Sequence, residues 1–131
     1  NIETSRNDFV AWYRNPAHNA MDAISVAYQA ADGSWSAMHP DFVIFTNLSG
    51  NILPSIVDPH GQFLEDSLPK LRGLSLFAER YGDAFHRIDA VIHDGEWRVL
   101  DLKLKEVRSL IADHSGAVSE LYRTPQATSY R

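Results

Sequence analysis

Residues 40–61 read PDFVIFTNLSGNILPSIVDPHG, and this stretch decides the fold. Two apolar runs, Asp41–Phe45 and Ile52–Val57, are predicted to be strands, and the turn-forming residues NLSGN between them predict a hairpin. Asp41 begins the first strand and Asp58 follows the second. The start of one hairpin strand lies beside the end of its partner, so the pattern predicts that the two carboxylates are close together.

Two neighbouring carboxylates are typical of a site for a divalent cation. Like charges that close repel each other, and a bound ion offsets the repulsion. Oxygen ligands suit Mg²⁺ (or Mn²⁺), and such an ion can activate water against a phosphodiester. The structural alternative is that Asp41 caps a turn after Pro40 and that Asp58 is an exposed strand end. The pairing of the two aspartates, each beside an apolar strand, favours the metal site.

The rest of the chain predicts a mixed sheet with flanking helices, and hence an α/β fold. The apolar pattern of residues 5–14 favours a helix that Asn15-Pro16 ends, and Ser67 can cap a second helix with Pro69 in its first turn. Three strands follow one another without a helical crossover, which makes the sheet mixed in direction. The predicted order is α-β-β-β-α-β-β, with helices at 5–14 and 67–82 and strands at 24–28, 41–45, 52–57, 85–92 and 97–102.

Length and composition indicate a single globular domain over residues 1–111. The chain has 131 residues, of which 44% are hydrophobic and 22% charged, as in ordinary globular proteins. A short closing helix is predicted at Glu106–Ile111, and the polar, aperiodic residues 112–131 are predicted to be a loosely packed tail or linker. Turn signals at Asp32-Gly33 and Asp94-Gly95 predict two more hairpins.

Charge and cysteine content narrow the function. The net charge of −5 argues against a free-standing nucleic-acid-binding protein, but it permits a nuclease whose ligands are carboxylates. No cysteine is present, which excludes disulfides, thiolate zinc sites and cysteine nucleophiles and suits the cytoplasm. No apolar run is long enough to span a membrane. Because the chain begins at Asn1 rather than Met, we expect it to be part of a longer protein.

Several short motifs resemble the PD-(D/E)xK nuclease superfamily. Within it, the likeness is to the C-terminal nuclease-like domain of type III restriction enzyme (Res subunit) proteins, which sits behind a superfamily 2 helicase motor. The resemblance covers residues 1–95 and implies a restriction-endonuclease-like sheet. The motifs are Glu3, Trp12-Tyr13-Arg14-Asn15-Pro16, Pro40-Asp41-Phe42-Val43-Ile44 and Val57-Asp58-Pro59-His60-Gly61.

The resemblance also implies a function. It implies a metal-dependent DNA endonuclease domain, in a helicase-nuclease of restriction or phage defence, that acts on double-stranded DNA beside an upstream helicase domain. By position, Asp41 and Asp58 look like the metal ligands and Glu3 like an assisting carboxylate, and the carbonyl of Pro59 could complete the shell. Mg²⁺ (or Mn²⁺) is the implied cofactor.

The sequence departs from the family at His60, where the resemblance calls for a lysine. A neutral imidazole can act as a general base near neutral pH, and a protonated one can supply positive charge. His60 could equally be a metal ligand, or mark a degenerate site. In the last case the domain would be a catalytically inactive module for DNA binding or protein docking.

Two lysines could replace the missing one. Lys70 lies in the first turn of the predicted 67–82 helix, whose N-terminus favours anions; its structural alternative is a solvated surface lysine. Asp101-Leu102-Lys103 spells the missing acidic-x-lysine motif at the end of an apolar strand; its structural alternative is a strand end with a solvated lysine. Trp35 and Trp97 are expected to be core or hairpin aromatics rather than base-stacking platforms.

Overall fold

The computed structural model describes residues 9–14, 25–59 and 67–129. The strands are β1 (Phe9–Arg14), β2 (Val26–Gln29), β3 (Trp35–Met38), β4 (Phe42–Leu48), β5 (Asn51–Pro59), β6 (Arg87–Asp94), β7 (Glu96–Asp101) and β8 (Thr128–Ser129). The helices are α1 (Ser67–Tyr81), α2 (Lys105–Asp113) and α3 (Val118–Leu121), and a 3-10 turn spans Gly82–Ala84. No helix in the described ranges has the length and apolar character needed to cross a bilayer.

The main sheet is mixed and contains six strands in the order β1-β4-β5-β6-β7-β8. Neighbouring strands are antiparallel except for the parallel pair β5 and β6. A parallel pair needs a crossover, and α1 provides it between the two strands. The predicted α/β class is therefore confirmed as a mixed sheet with flanking helices.

The hairpin predicted from the opening stretch is β4–β5, and its turn is tighter than expected. Pairing continues to Leu48 opposite Asn51, so only two residues connect the strands. Ser49 and Gly50 both have positive φ, 53° and 90°, which is the geometry of a two-residue turn matched to strand twist. The side-chain oxygen of Asn47 accepts the N–H of Gly50 at 2.9 Å and stabilises this turn.

The main core lies between the sheet and α1. Leu71 and Leu74 of the helix share one buried core with Ile56 of β5, Ile88 of β6 and Leu100 of β7. Their spacing on α1 follows the helical period, which is why the sequence predicted this helix correctly. Burial of such side chains, at about 1.5–3 kcal/mol each, holds α1 against the carboxyl end of β5.

The predicted helix over residues 5–14 is wrong for the part that the structure describes. Residues 9–14 form β1, an edge strand in which Trp12 pairs with Ile44 of β4. The sequence FVAWYR is rich in aromatic residues, which are enriched in strands, and its apolar spacing fits both periods. The available edge of β4 decides between them, and a local pattern does not contain that information. Within the described residues the order therefore begins with a strand, where the sequence predicted a helix.

The predicted loose tail over residues 112–131 is also wrong where it is described. α3 and β8 lie in it, and Val118, Leu121, Tyr122 and Ala127 are buried in the main core. These elements have four and two residues, too few to produce a recognisable period. The segment therefore belongs to the packed fold.

The β2–β3 hairpin forms a separate two-stranded sheet against α1. Its turn was predicted from Asp32-Gly33, and Gly33 has a φ of 87°, but β3 was absent from the predicted order. Contact with the helix is close at Gly73. A Cβ there would lie 2.4 Å from the Cβ of Tyr28 and 2.7 Å from the carbonyl oxygen of Ala27. The absence of a side chain at Gly73 therefore permits this packing.

We expect Gly73→Ala to destabilise the protein by about 1–3 kcal/mol, because the added methyl group meets backbone atoms that cannot rotate away. Alanine has a higher helix propensity than glycine by about 1 kcal/mol, and this gain offsets only part of the cost of the clash. Urea unfolding followed by circular dichroism measures the difference. Glu79→Ala, on the exposed face of the same helix, is the control and should leave the midpoint unchanged. A more stable Gly73→Ala variant would contradict the close packing.

Candidate functional site

The β4–β5 hairpin brings Asp41 and Asp58 together. Phe42 pairs with Val57, so the residue before β4 lies opposite the residue that follows Val57 in β5. The backbone N–H of Asp41 donates a hydrogen bond to Oδ1 of Asp58 at 3.2 Å. Two aspartates that are seventeen residues apart in sequence thus share one end of the sheet.

Asp58 is buried, and its environment disfavours the charged form. Only 7% of the residue is exposed, on the face of the sheet that α1 covers, so it is not the exposed strand end of the structural alternative. Burial raises the pKa of Asp58 to about 7, the hydrogen bond from Asp41 opposes this rise, and the nearby Asp41 carboxylate adds to it. Asp58 therefore exchanges a proton near neutral pH, and a cation could take the place of that proton.

Lys70 lies on the same side of the sheet as Asp58. It stands in the first turn of α1, and its Nζ lies 5.9 Å from the ring centroid of Tyr28 in β2. Its positive charge lowers the pKa of Asp58, though by less than burial raises it. The structure thus adds a positive charge to the surroundings of the carboxylates.

Tyr122 is a residue near the site that the sequence did not reveal. It follows α3 and is 2% exposed. Burial raises its pKa well above the ordinary value, and the negative charge of Asp58 raises it further. Tyr122 lies in the segment predicted to be a loose tail, where no pattern pointed to a buried residue. The phenol stays protonated at neutral pH and contributes an O–H group to this region.

The acidic-x-lysine motif at the end of β7, Asp101-Leu102-Lys103, makes hydrogen bonds within the fold. The side chain of Asp101 accepts the backbone N–H of Lys103 at 3.0 Å. The Lys103 amine donates to the carbonyl oxygens of Phe85 at 2.7 Å and His86 at 3.4 Å. The flanking leucines point into the core under α1, so Asp101 projects from the face of the sheet opposite to Asp58.

Two of the predicted site residues, Glu3 and His60, lie outside the described residues. Pro59 ends β5 and pairs with Val91 of β6, so its carbonyl lies at the same end of the sheet as the aspartates. Within the described ranges, no group of three or more histidine and acidic residues is arranged to hold a metal ion. The described part of the site therefore consists of a pair of carboxylates with Lys70 nearby.

The raised pKa of Asp58 predicts how stability changes with pH. The folded protein retains a proton on Asp58 up to about pH 7, whereas the unfolded chain releases it near pH 3.8. Between these values the folded state binds more protons, so the free energy of unfolding falls as the pH rises and levels off above the folded pKa. At 1.36 kcal/mol per pKa unit, the loss is at most about 4 kcal/mol.

Urea unfolding of the wild type and of Asp58→Asn at about pH 5 and about pH 8 measures this dependence. The amide is neutral at both values, so the stability of the variant relative to the wild type should increase with pH. Asp32→Asn, on an exposed turn, is the control for a general effect of removing a carboxylate. The same difference between Asp58→Asn and wild type at both pH values would contradict the prediction.

Comparison with known proteins gives a family but no activity. The sequence profile of the YagJ family matches residues 1–131. Protein YagJ of Escherichia coli (strain K12) is 39% identical over 131 residues, which cover 99% of this chain and 53% of that protein. The chain thus spans about half the length of this curated relative. No solved structure matches it. None of these matches is to a PD-(D/E)xK nuclease or a Res subunit, so that resemblance stays a hypothesis.

Proposed function

The chain belongs to the YagJ family, and we propose that it carries a metal-dependent DNA endonuclease site that hydrolyses phosphodiester bonds. One observation carries the proposal: Asp41 and Asp58 are opposed across a hairpin, and Asp58 is buried where the charge of Lys70 lowers its pKa. A buried carboxylate beside a second carboxylate is costly unless a proton or a cation accompanies it. In the proposed state this partner is a divalent cation.

The strand arrangement supports the proposal. β4 and β5 form an antiparallel hairpin, α1 crosses over, and β6 returns parallel to β5. This arrangement is compatible with the restriction-endonuclease-like fold that the sequence resemblance implies. It also puts the aspartate pair at the carboxyl end of β5, and the ends of parallel strands are where ligands bind in open α/β sheets.

The available oxygen atoms fit a hard divalent cation. Within the described residues Asp58 has one hydrogen bond, to Oδ1, which leaves Oδ2 as a candidate ligand. Asp41 is half-buried, and the Pro59 carbonyl lies at the same strand end. Mg²⁺ (or Mn²⁺) accepts oxygen ligands of this kind, and when bound it would polarise a phosphate and lower the pKa of a water molecule.

The remaining residues would act on the phosphate and on the water. Lys70 would place positive charge against the charge that develops on the phosphate. His60, which follows Pro59 in sequence, would orient or deprotonate the attacking water, and Glu3 would be an additional ligand. In this proposal the substrate is double-stranded DNA and the site of action is the cytoplasm. A helicase domain of the longer protein would supply DNA affinity, in restriction or phage defence.

A second candidate function is a catalytically degenerate module for DNA binding or protein docking. The bond between the Asp41 N–H and Asp58, together with the burial of Asp58, favours it, because a protonated Asp58 is stable without metal. In that case Asp58 would serve only to join β4 to β5. Metal binding separates the two candidates.

Calorimetric titration with Mn²⁺ at about pH 8, where Asp58 is mostly ionised, tests the proposal. The wild type is expected to bind, whereas Asp41→Asn and Asp58→Asn should each weaken binding at least about tenfold, since each loses a charged ligand. Asp113→Asn, an exposed residue at the end of α2, is the matched control. Equal affinity in all four proteins would exclude a metal centre at the hairpin and leave the degenerate module.

A further inference from the structure

An open groove runs along the junction between the β2–β3 hairpin and α1. Its volume is about 530 Å³, within the range of about 300–1,000 Å³ typical of small-molecule sites. The hairpin and the helix form its two walls, and the segment that follows α2 contributes to one end through Gly116. The residues that matter most for its chemistry are Gln29, Ala31, Trp35, Leu68, Arg72 and Leu76.

The groove does not belong to the carboxylate site. Lys70 lowers the pKa of Asp58, whereas Arg72 lines the groove. Residues two positions apart on an α-helix differ by about 200° around its axis. A ligand in the groove would therefore lie on another side of α1, and the inference below does not depend on the proposed endonuclease.

The hairpin wall presents an aromatic ring. Trp35 is 65% exposed, which corrects the expectation of a core role and leaves it as a hairpin aromatic. Leu76 of α1, which also lines the groove, is 58% exposed. Indole is the largest aromatic side chain and stacks on planar rings. Such stacking does not depend on which nucleobase is present. A groove lined by an exposed indole and exposed aliphatic side chains suits a flat aromatic ligand.

The charge of the groove suits an anion. None of the ten lining residues that the structure describes is acidic, and Arg72 brings positive charge to the lining. The Glu120 carboxylate lies beside Gly116, at the end of the groove that this glycine forms. The Nη2 of Arg72 donates to the carbonyl of His114, which fixes the guanidinium. Its Nε is buried and has no hydrogen-bond partner in the described part of the chain. The two Nη atoms carry four hydrogens, of which the His114 carbonyl accepts one, so donors other than the buried Nε remain for an anionic group.

We infer that this groove binds a nucleotide, with the base stacked on Trp35 and the phosphate paired with Arg72. A nucleoside monophosphate matches the groove in three respects: its size fits the volume, its base can stack on the aromatic wall, and its phosphate can pair with the positive charge. The same chemistry is present in a free nucleotide and in the terminal nucleotide of a single strand, so both are included in the test.

Binding is measured by calorimetry with adenosine monophosphate, adenosine, inorganic phosphate and a short 5′-phosphorylated single-stranded oligonucleotide. Adenosine monophosphate should bind at least about tenfold more tightly than adenosine, because the ionic hydrogen bonds to the phosphate are lost in the nucleoside. Tighter binding of the oligonucleotide would identify a strand end as the ligand, and tighter binding of the monophosphate a free nucleotide. Failure of all four probes to bind at millimolar concentration would overturn the inference.

Two pairs of variants assign the contacts. Trp35→Ala should weaken binding of the monophosphate at least about fivefold through loss of stacking, whereas Trp97→Ala, at the other exposed hairpin tryptophan, should not. Arg72→Gln should weaken the monophosphate about tenfold and leave adenosine unchanged, while Arg80→Gln on the same helix should affect neither. Undiminished binding in both Trp35→Ala and Arg72→Gln would place the ligand elsewhere and refute the groove.

A third variant does not depend on Arg72, whose contact with His114 also contributes to folding. Ala31→Glu puts a negative charge on an exposed lining residue and should prevent monophosphate binding, whereas Ala31→Gln should preserve it. In the spectrum of the ¹⁵N-labelled protein, the indole N–H signal of Trp35 should shift on titration and that of Trp97 should not. A shift at Trp97 alone would contradict the assignment.

Discussion

Asp58→Asn is expected to lower the rate of DNA cleavage by the intact protein at least a hundredfold, a loss of about 2.7 kcal/mol or more of transition-state stabilisation. The amide keeps the shape of the side chain and can still accept the N–H of Asp41. It loses the negative charge that would hold the cation, so the fold is retained while the chemistry is lost. Cleavage of double-stranded DNA with Mg²⁺ or Mn²⁺ measures the rate.

Asp101→Asn is the matched control, since Asp101 belongs to the acidic-x-lysine motif of β7 and projects from the opposite face of the sheet. It should cleave at the wild-type rate. Loss of cleavage in Asp101→Asn together with an active Asp58→Asn would transfer the site to β7. Cleavage by neither wild type nor variant, with either metal, would favour the degenerate module.

The same assay identifies the residue that replaces the missing lysine. Lys70→Met retains the aliphatic chain above Tyr28 and removes the charge near Asp58. His60→Gln removes the titratable imidazole. A strong loss of cleavage rate in Lys70→Met alone would show that Lys70 stabilises the charge on the phosphate. A strong loss in His60→Gln alone would show that His60 activates the attacking water.

Leu121→Ala is expected to lower the free energy of unfolding by about 2–5 kcal/mol, the range for removing a buried leucine side chain. Leu121 lies in α3, is fully buried, and packs in the same core as Leu71 and Leu100. This is a large fraction of the about 5–15 kcal/mol that stabilises a typical domain. The prediction distinguishes a packed segment from the loose tail that the sequence suggested.

Urea unfolding with a single transition measures the change. Leu104→Ala is the control, because Leu104 precedes α2 and is 43% exposed, so its truncation should cost less than about 1 kcal/mol. Equal losses in the two variants would mean that α3 does not belong to the core. Tyr122→Phe keeps the ring and its burial and removes the hydroxyl near Asp58. Its free energy of unfolding therefore measures what that hydroxyl contributes to stability.

How far the fold could be predicted depended on the length of each element. α1 spans fifteen residues with a regular apolar period, and β4 and β5 are long strands joined by a strong turn signal. Each of these patterns is local, so these elements could be predicted from the sequence. β1, with six residues, was assigned the wrong period, and α3 and β8 were too short to have one.

The candidate site divides in the same way. Asp41 and Asp58 were found because each bounds a recognisable strand. The short turn of the hairpin fixes how the two strands pair, and so places the two aspartates side by side. Tyr122 was missed because it reaches Asp58 from a segment 64 residues further along the chain. The groove was missed because it lies between two elements, the β2–β3 hairpin and α1, whose contact no local pattern describes.

The sequence by itself determined the α/β class, the central hairpin and the opposition of its two aspartates, because strand period and turn chemistry act over a few residues. Only the tertiary structure decided that β1 is an edge strand, that the C-terminal segment is core, and that Asp58 is buried with a pKa of about 7. Burial and charge proximity depend on which distant segments meet, and long-range packing alone decides that.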